Sequence, residues 1–248
     1  MSGARRVSLE PAYLLHHHPW RDSSRILELL TREHGRVAVI ARSSRQSGAR
    51  TGSALQPFTA MLVSWSARGE LGTLTGAERR GQSAAFEGDR LMSGFYANEL
   101  LLKLLQRNDP HPALFDAYEA LVGRLQAPAE DAIRALRLFE KRLLEELGWG
   151  LSLEHEAGGA TPLDPGRSYR YELDGGAEPL DGVAEGSLIF CGSSLLSLAR
   201  DELDDPRSLA DARRLLRAAL DRLLDGRPLR TREVMFEMRA HAARPDGD

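Results

Sequence analysis

The sequence predicts an α+β protein, with a small β-barrel or sandwich in the first 80 residues and helices after it. Short segments rich in β-branched residues alternate with tight turns before residue 80. From about residue 89 the apolar period becomes helical. The charge changes too, because residues 1–80 carry 12 basic and 6 acidic residues, whereas the remainder carries 21 basic and 30 acidic ones. We therefore expect two domains, residues 1–80 and 81–248, with different partners.

Five segments before residue 80 have the character of strands. They are rich in Val, Ile, Leu and Thr, and turn residues such as Gly35 separate them. The segments are "EPAYLLHHHP", "SRILELLT", "GRVAVIAR", "FTAMLVSWSA" and "LGTLTGAERR". A helix is the competing interpretation of "SSRILELLTREHG", since Leu and Glu favour helices. We favour the strand, because "REHG" makes a short turn to the next one.

Later segments repeat apolar residues at helical spacing. "DRLMSGFYANELLLKLLQRND" places Phe95 on an apolar face, and "PAEDAIRALRLFEKRLLEELGWG" has an apolar stripe that includes Ile133. Helices are also predicted in "HPALFDAYEALVGRLQ", in "SSLLSLARDEL", in "DPRSLADARRLLRAALDRLLDGRP" with Ser208 as N-cap, and in "TREVMFEMRAHAA". Residues 151–192 interrupt the helices. They are rich in Gly, Pro and Asp, and "SYRYEL" and "GSLIF" predict a small hairpin there.

Composition limits the class of protein. The longest apolar runs, such as "NELLLKLLQ", are far shorter than the roughly 20 residues of a membrane-spanning helix. The segment "MSGARRVSLEPAY" has no apolar signal-peptide core. We therefore expect a cytoplasmic protein with no membrane partner. The single cysteine, Cys191, can form neither an intrachain disulfide nor a cysteine-based zinc site.

No motif in the sequence assembles a catalytic site. The patterns GxGxxG, GxxxxGKS and GxSxG are absent. Glu145 and Glu146 are neighbours on a predicted helix and face different ways, so they are not a catalytic pair of carboxylates. The run from His16 to His18 looks like a metal-binding run, but only its first and last residues share a face of a strand. We interpret the run as surface or half-buried strand residues and do not expect an enzyme.

An acid-free basic stretch indicates binding to a polyanion. No Asp or Glu lies between Glu33 and Glu70, yet the stretch holds Arg36, Arg42, Arg45, Arg50 and Arg68. A solvated loop in an arginine-rich chain is the alternative. Small barrels that bind single-stranded nucleic acid combine a basic groove with aromatic side chains. The aromatic candidates are Tyr13, Trp20, Phe58 and Trp65, and core packing is the alternative for each.

Several segments together resemble the RecO family of bacterial recombination mediators. "HPWRDSSRILELLTREHGRVAVIARSSRQSGARTGSALQPF" and "RGELGTLTGAE" are similar to the N-terminal OB-fold domain of that family. "YANELLLKLL", "ALRLFEKRLLEELGWG" and "GRPLRTREVMFEM" are similar to its helical domain. The similarity runs in order along nearly the whole chain. It implies an N-terminal OB-fold β-barrel followed by an all-α helical domain with a small loop and β insertion.

The resemblance also implies a function. Proteins of this family bind single- and double-stranded DNA, anneal complementary strands, and with RecR help load the recombinase RecA onto DNA coated by the single-stranded-DNA-binding protein (SSB). They use no nucleotide, so we expect no cofactor. Contacts to phosphate carry no sequence information, which suits a repair factor. We expect DNA to be bound by Arg21, Arg25, Arg36, Arg42, Arg45, Arg50 and Trp20.

The resemblance implies that the helical domain receives the acidic C-terminal tail of SSB, which ends in an apolar residue with a free carboxylate. An apolar pocket rimmed by arginine would suit this tail. We expect Arg137 to anchor the carboxylate, with Arg134, Lys141 and Arg142 as further candidates. A solvated helix arginine or an ion pair within the helix is the alternative for Arg137. The alternative function is an adaptor that docks on this tail without binding DNA.

The sequence departs from the family in one respect. Many members carry a four-cysteine zinc site after "ELGW", whereas "LSLEHEAGGATPLDPGRSYRYEL" has no cysteine here. The match is therefore to a zinc-free branch, and we expect no structural metal. We also expect a monomer in isolation that associates with the nucleoid during repair.

Overall fold

The structure, a computed structural model, describes residues 5–21, 24–42, 55–81, 86–180 and 188–242. These residues form two compact units. One comprises the described residues up to Ala127 and those from Pro228 onwards, and the other is Pro128–Arg227. By packing, the division therefore comes later in the chain than the predicted boundary at residue 80, and the first unit contains helices as well as the barrel.

The first unit contains a closed barrel with the strand order β1-β2-β3-β5-β4. Strands β3 and β5 run parallel, and the other neighbouring pairs are antiparallel. A closed five-stranded barrel is the architecture of the OB fold, so this part of the predicted fold class is confirmed. The strands are β1 (Arg5–Trp20), β2 (Ser24–Thr31), β3 (Gly35–Arg42), β4 (Met61–Ala67) and β5 (Leu71–Arg79).

Alternate residues of the strands fill the barrel. Leu27 and Leu29 of β2 and Val37 and Val39 of β3 lie in its core. The strand interpretation of "SRILELLT" is confirmed, because β2 pairs along its whole length with both β1 and β3. All its residues from Ile26 to Thr31 are buried, so its sequence lacks the alternation of a strand with one exposed face.

The described residues contain six helices, all in predicted segments. The helices α1, α2 and α6 belong to the first unit, and α3, α4 and α5 to the second. None of the described helices is long and apolar enough to cross a membrane. Their bounds are α1 (Gly88–Leu104), α2 (Pro112–Arg124), α3 (Ala129–Glu146), α4 (Gly192–Ala199), α5 (Pro206–Leu224) and α6 (Arg230–Ala242).

A buried polar contact joins α1 and α2 to the barrel. Asn98 of α1 donates from Nδ2 to the carbonyl of Leu15 in β1 at 3.1 Å, and the hydroxyl of Tyr118 in α2 donates to Asn98 Oδ1 at 2.6 Å. Because all three residues are buried, each bond replaces one that water would otherwise make. Phe95 was predicted on the buried face of α1 but is exposed; its ring lies 5.2 Å from that of Phe58.

The last helix, α6, is bound to the first unit by the side chain of Glu99 in α1. The Glu99 carboxylate accepts hydrogen bonds from the backbone N–H groups of Arg230 and Thr231, both at 2.9 Å, and from the Thr231 hydroxyl at 2.7 Å. It thereby satisfies N–H groups at the start of α6. Burial would raise the pKa of Glu99, but these bonds and the charge of Lys103 lower it overall.

The second unit combines α3, α4 and α5 with a three-stranded antiparallel sheet in the order β7-β6-β8. The strands are β6 (Ser168–Glu172), β7 (Gly176–Pro179) and β8 (Ile189–Cys191). The predicted hairpin is thus part of a larger sheet, anchored by the fully buried rings of Tyr169 and Tyr171.

Two predicted details of the helices in the second unit are wrong. Asp205, not Ser208, is the N-cap of α5, because its carboxylate accepts a hydrogen bond from Ser208 N at 2.9 Å and Pro206 begins the helix. Ile133, in the first turn and a half of α3, is exposed rather than part of the buried stripe.

Gly35 is the position where the backbone of the barrel demands glycine. It has φ +65°, and a Cβ there would lie 1.9 Å from the carbonyl oxygen of Asp109. We expect Gly35→Ala to lower the free energy of unfolding by about 2–4 kcal/mol, from the left-handed backbone and the clash together. The change is measured by urea denaturation.

Gly123 provides the matched control, because a Cβ there meets nothing within 4 Å and the residue lies in α2. Gly123→Ala should therefore raise the free energy of unfolding by about 0.5–1 kcal/mol. A Gly35→Ala protein as stable as the wild type would contradict the observed turn.

Candidate nucleic-acid interface

Three neighbouring strands bring basic and aromatic side chains to one end of the barrel. Trp20 at the end of β1 pairs with Ser24 at the start of β2, and Ser24 pairs with Arg42 at the end of β3. Arg25 follows Ser24, and Arg21 follows Trp20 in the turn between β1 and β2. We call Trp20, Arg21, Arg25 and Arg42 the basic end of the barrel.

The side chains of the basic end are accessible. Trp20 is 38% exposed, although it is a large apolar residue, and the three arginines are exposed as well. Among the described residues, no carboxylate forms an ion pair with Arg21, Arg25 or Arg42. Guanidinium groups form charge-assisted hydrogen bonds with phosphate, and an exposed indole ring can stack on a base. The arrangement is therefore suited to a nucleic-acid strand.

The turn after β1 holds the Arg21 side chain close to Trp20. Arg21 has φ +56°, a left-handed conformation that is uncommon outside glycine. Its Cζ lies 6.0 Å from the centre of the Trp20 ring, at the outer limit of a cation–π contact. A contact this long constrains the guanidinium weakly and leaves its N–H groups available to another acceptor.

Arg36, predicted to bind DNA, lies away from the basic end. It pairs with Leu30 near the far ends of β2 and β3, and its side chain is only 17% exposed. Its Nη1 donates to the carbonyl of Leu102 in α1, and its Nε lies 4.0 Å from the buried carboxylate of Glu28. Burial lowers the pKa of Arg36; Glu28 opposes this effect and Arg107 adds to it. We therefore remove Arg36 from the DNA-binding set, since it supports the packing of α1 on the barrel.

Three of the four candidate stacking residues belong to the core. Tyr13, Phe58 and Trp65 are all at least 95% buried. The Tyr13 ring packs 5.1 Å from that of Tyr118 in α2, and its hydroxyl donates to Glu119 at 3.1 Å. Core packing, which was the alternative for each, is therefore what the structure has, and Trp20 is the one accessible candidate of the four.

Two predicted phosphate ligands, Arg45 and Arg50, fall outside the described residues. The described chain leaves the barrel at Arg42 and resumes at Leu55.

The predicted tail-binding residues lie on α3 of the second unit, and all four make contacts within that unit. Arg134 donates to Asp204 Oδ1 at 2.7 Å and to the carbonyl of Asp201 at 2.9 Å. Arg142 pairs with Glu145 at 2.9 Å and keeps 47% of its side chain exposed. These two residues remain reachable by a partner.

Arg137, the predicted carboxylate anchor, is buried. It is 8% exposed and pairs at 2.8 Å with Glu140, one turn later on α3, which is 1% exposed. An ion pair within the helix was the alternative interpretation, and the structure has that pair. Separating the partners of a buried ion pair costs about 3–5 kcal/mol. This placement counts against Arg137 as the anchor of an incoming carboxylate.

Lys141 binds the C-terminal end of α4. Its Nζ donates to the carbonyls of Leu198 and Ala199 at 3.0 and 2.8 Å and to Asp201 Oδ1 at 2.7 Å. An ammonium group has three N–H donors, so all of them are used. The contacts also place a positive charge at the C-terminal end of α4, where the helix dipole favours it.

A polar cavity of about 800 Å³ lies in the second unit. Acidic residues outnumber arginines in its lining, so its charge does not suit an acidic peptide. The charged residues of the lining are Glu154, Glu202, Asp204, Asp205, Arg200 and Arg207. Within the described residues, no group of three or more His, Cys, Asp or Glu side chains is placed to bind a metal ion.

Comparison with known proteins gives matches over nearly the whole chain. The family models described as "Recombination protein O N terminal" and "Recombination protein O C terminal" match residues 6–82 and 85–233. The chain is 48% identical over 241 residues to the DNA repair protein RecO of Alkalilimnicola ehrlichii, covering 96% of this chain and 94% of that protein. The DNA repair protein RecO of Nitrosococcus oceani is 43% identical over 239 residues, with 94% and 95% covered. That of Coxiella burnetii is 43% identical over 237 residues, with 94% and 99% covered.

Replacing Lys141 tests its structural role. We expect Lys141→Met to lower the free energy of unfolding by about 1–3 kcal/mol, because two partly buried carbonyls and one carboxylate lose their donor. The neighbouring Arg142→Met should change it by less than about 0.5 kcal/mol, since that ion pair is exposed. Both values come from denaturant titration, and equal effects of the two substitutions would contradict the assignment.

Proposed function

Since the chain belongs to the RecO family of DNA repair proteins, we propose that it acts as a DNA-binding recombination mediator. It binds single- and double-stranded DNA, anneals complementary strands, and with RecR helps load RecA onto SSB-coated DNA. The observation that most supports DNA binding is the basic end of the barrel, where exposed Trp20 and three exposed arginines come together on adjacent strands.

The chemistry of this surface favours binding without sequence preference. Arg21, Arg25 and Arg42 offer charge-assisted hydrogen bonds to phosphate, which is the same in every nucleotide. Trp20 offers a stacking surface, and every base has a face that can stack. Arg45 and Arg50 follow Arg42 in the sequence, and we propose that they add further phosphate contacts.

The distribution of charge supports annealing at the same surface. Each strand of DNA repels its complement, and cations that neutralise phosphates on both strands reduce this repulsion. Residues 81–248 carry 30 acidic and 21 basic residues, so they repel DNA on balance. DNA is thereby directed to the barrel, and the protein acts by binding rather than by catalysis.

We further propose that the second unit receives the acidic C-terminal tail of SSB. Arg142 and Arg134 are the preferred contacts, because both are partly exposed on α3. Arg137 and Lys141 are less suited, because an incoming carboxylate would have to displace their partners within the unit. Docking on SSB would raise the concentration of the protein beside coated DNA, where it acts in the cytoplasm and at the nucleoid as a monomer.

Neutralising two arginines of the basic end tests the proposed DNA site. We expect the double variant Arg25→Gln/Arg42→Gln to bind every single-stranded sequence more weakly by a similar factor. The slope of log K against log salt should become shallower by about 1.4, since each lost phosphate contact removes about 0.7 for a single strand. Fluorescence anisotropy of labelled oligonucleotides at several salt concentrations measures both quantities.

The matched control is Arg207→Gln/Arg217→Gln, which removes the same charge from the exposed surface of α5 in the second unit. It should leave affinity and salt slope close to the wild type. Equal losses in the two double variants would mean that net charge, not the basic end, governs binding. Charge reversal of Arg42, Arg45 and Arg50 extends the test to the segment that follows β3.

A peptide titration separates the mediator from the adaptor. We expect an acidic peptide ending in Asp-Phe to bind the wild type, and Arg142→Gln to weaken it by about tenfold, the effect of losing 1.4 kcal/mol. Arg217→Gln serves as the control. Peptide binding by a protein that binds no DNA at low salt would favour the adaptor, and unchanged binding by Arg142→Gln would exclude Arg142 as the contact.

A further inference from the structure

The run from His16 to His18 occupies the strand that leads to the basic end. Every residue from His16 to Trp20 is exposed, in the half of β1 that pairs only with β2. The ring centres of His16 and His18 are 6.2 Å apart, and those of His16 and His17 are 6.3 Å apart. Three imidazoles thus cluster on an open part of the barrel wall.

Strand register places two of these histidines on the same face as Trp20. His16 pairs with Glu28, His18 with Ile26 and Trp20 with Ser24. The intervening Leu27 of β2 belongs to the barrel core, so this set lies on the outer face. Farther along β1 the outer face is covered, because Tyr13 packs against α2. His16, His18 and Trp20 therefore form a continuous uncovered row.

The charges around this row are mainly positive. Among the described residues, the nearest acid is Glu28 of β2, whose buried carboxylate pairs with Arg107 and lies 4.0 Å from Arg36 of β3. From α1, the residue bonded to this part of β1 is the neutral Asn98. At the other end of the row are the arginines of the basic end, Arg21 after β1, Arg25 on β2 and Arg42 on β3. Of the carboxylates in the described residues, an approaching phosphate group would thus meet Glu28, which already pairs with Arg107.

Burial lowers the pKa of His16, as do the charges of His17 and His18, and Glu28 raises it in part. A histidine so placed gives up its proton easily when no anion is near. A phosphate beside it supplies the missing counter-charge and raises the pKa of the imidazole. The row can therefore change its charge when DNA arrives, which arginines do not do near neutral pH.

We infer that His16 and His18 extend the DNA-binding surface from Trp20 along β1 and bind phosphate in the protonated form, so that DNA is held more tightly as the pH falls through neutrality. This inference rests on the proposed function and adds two ligands and a pH dependence to it. Neutral imidazoles still provide flat rings beside Trp20, so at higher pH the row loses charge but keeps its shape.

The sign of the pH dependence follows from proton uptake. The imidazole pKa is higher in the DNA complex than in the unbound protein, so binding takes up protons. The added affinity is fully present below the pKa of the unbound histidine, and it is lost as the pH rises through the higher value in the complex. Because the pKa of His16 in the unbound protein lies below the ordinary histidine value of about 6.5, this range begins below about pH 6.5.

The test is the salt dependence of binding to labelled oligo-dT at about pH 6 and about pH 8. For the wild type, we expect the slope of log K against log salt to be steeper at the lower pH by up to about 1.4, or 0.7 for each protonated histidine. Affinity should be higher there by at most about threefold for each histidine whose pKa phosphate raises by about half a unit. The double variant His16→Asn/His18→Asn should lose both differences and keep the binding measured at the higher pH.

The control is His155→Asn, which replaces an exposed histidine of the second unit. DNA binding by this variant should depend on pH as it does for the wild type. Thermal unfolding of each variant checks that the barrel is intact. Wild-type binding that is the same at both pH values would overturn the inference and leave the proposed function standing, as would a pH dependence that survives in the double variant. Absence of DNA binding at either pH would overturn both.

Discussion

The fold depends on one long strand that pairs on both sides. The first half of β1 pairs with β4 and the second half with β2, and Ala12, at the crossover, pairs with both Met61 and Thr31. Register shifts between Val7 and Glu10 and between Leu14 and His16 bend the strand. The strand closes the barrel through these two pairings. After Ala12 it has one strand neighbour, and from His16 to Trp20 its side chains are exposed.

The same constraint places the candidate DNA surface. The end of β1 carries Trp20 to the edge of the barrel. The register across β2 and β3 sets Arg42 on the same face as Trp20 and Arg25 one position along, on the other face. These side chains are exposed to solvent. A phosphate backbone can follow them without any movement of the core, which is the arrangement expected of a rigid site.

The contacts available to each cation decide its role. Arg36, Arg137 and Lys141 have acceptors within their own unit, and each is mostly buried, so each contributes to packing. Arg25 and Arg42 have no ion pair among the described residues and face solvent. In the sequence, all five are basic residues within segments rich in apolar residues. Their roles differ because of tertiary contacts. The carbonyls of Leu102 and Leu198 accept hydrogen bonds from Arg36 and Lys141, which are more than 50 residues away in the sequence.

The parts that sequence predicts well are those set by local patterns. The turn at Gly35 predicts the β2–β3 pairing, and Pro112 and Pro128 predict where α2 and α3 begin. The sequence left core packing as an alternative for Tyr13, Phe58 and Trp65 but could not decide it. Tyr13 and Phe58 contact helices from distant parts of the chain, and Trp65 belongs to the core that forms when the barrel closes. The role of Glu28 was missed for a similar reason: its partner, Arg107, follows α1.

Binding of DNA at the basic end of the barrel is best tested by hydrogen–deuterium exchange with and without oligo-dT. Backbone amides that become less accessible exchange more slowly, so the binding site is located without any mutation. We expect slower exchange in peptides covering residues 16–25 and 40–42, and little change across residues 128–227. Slower exchange confined to residues 128–227, with the barrel unaffected, would contradict it.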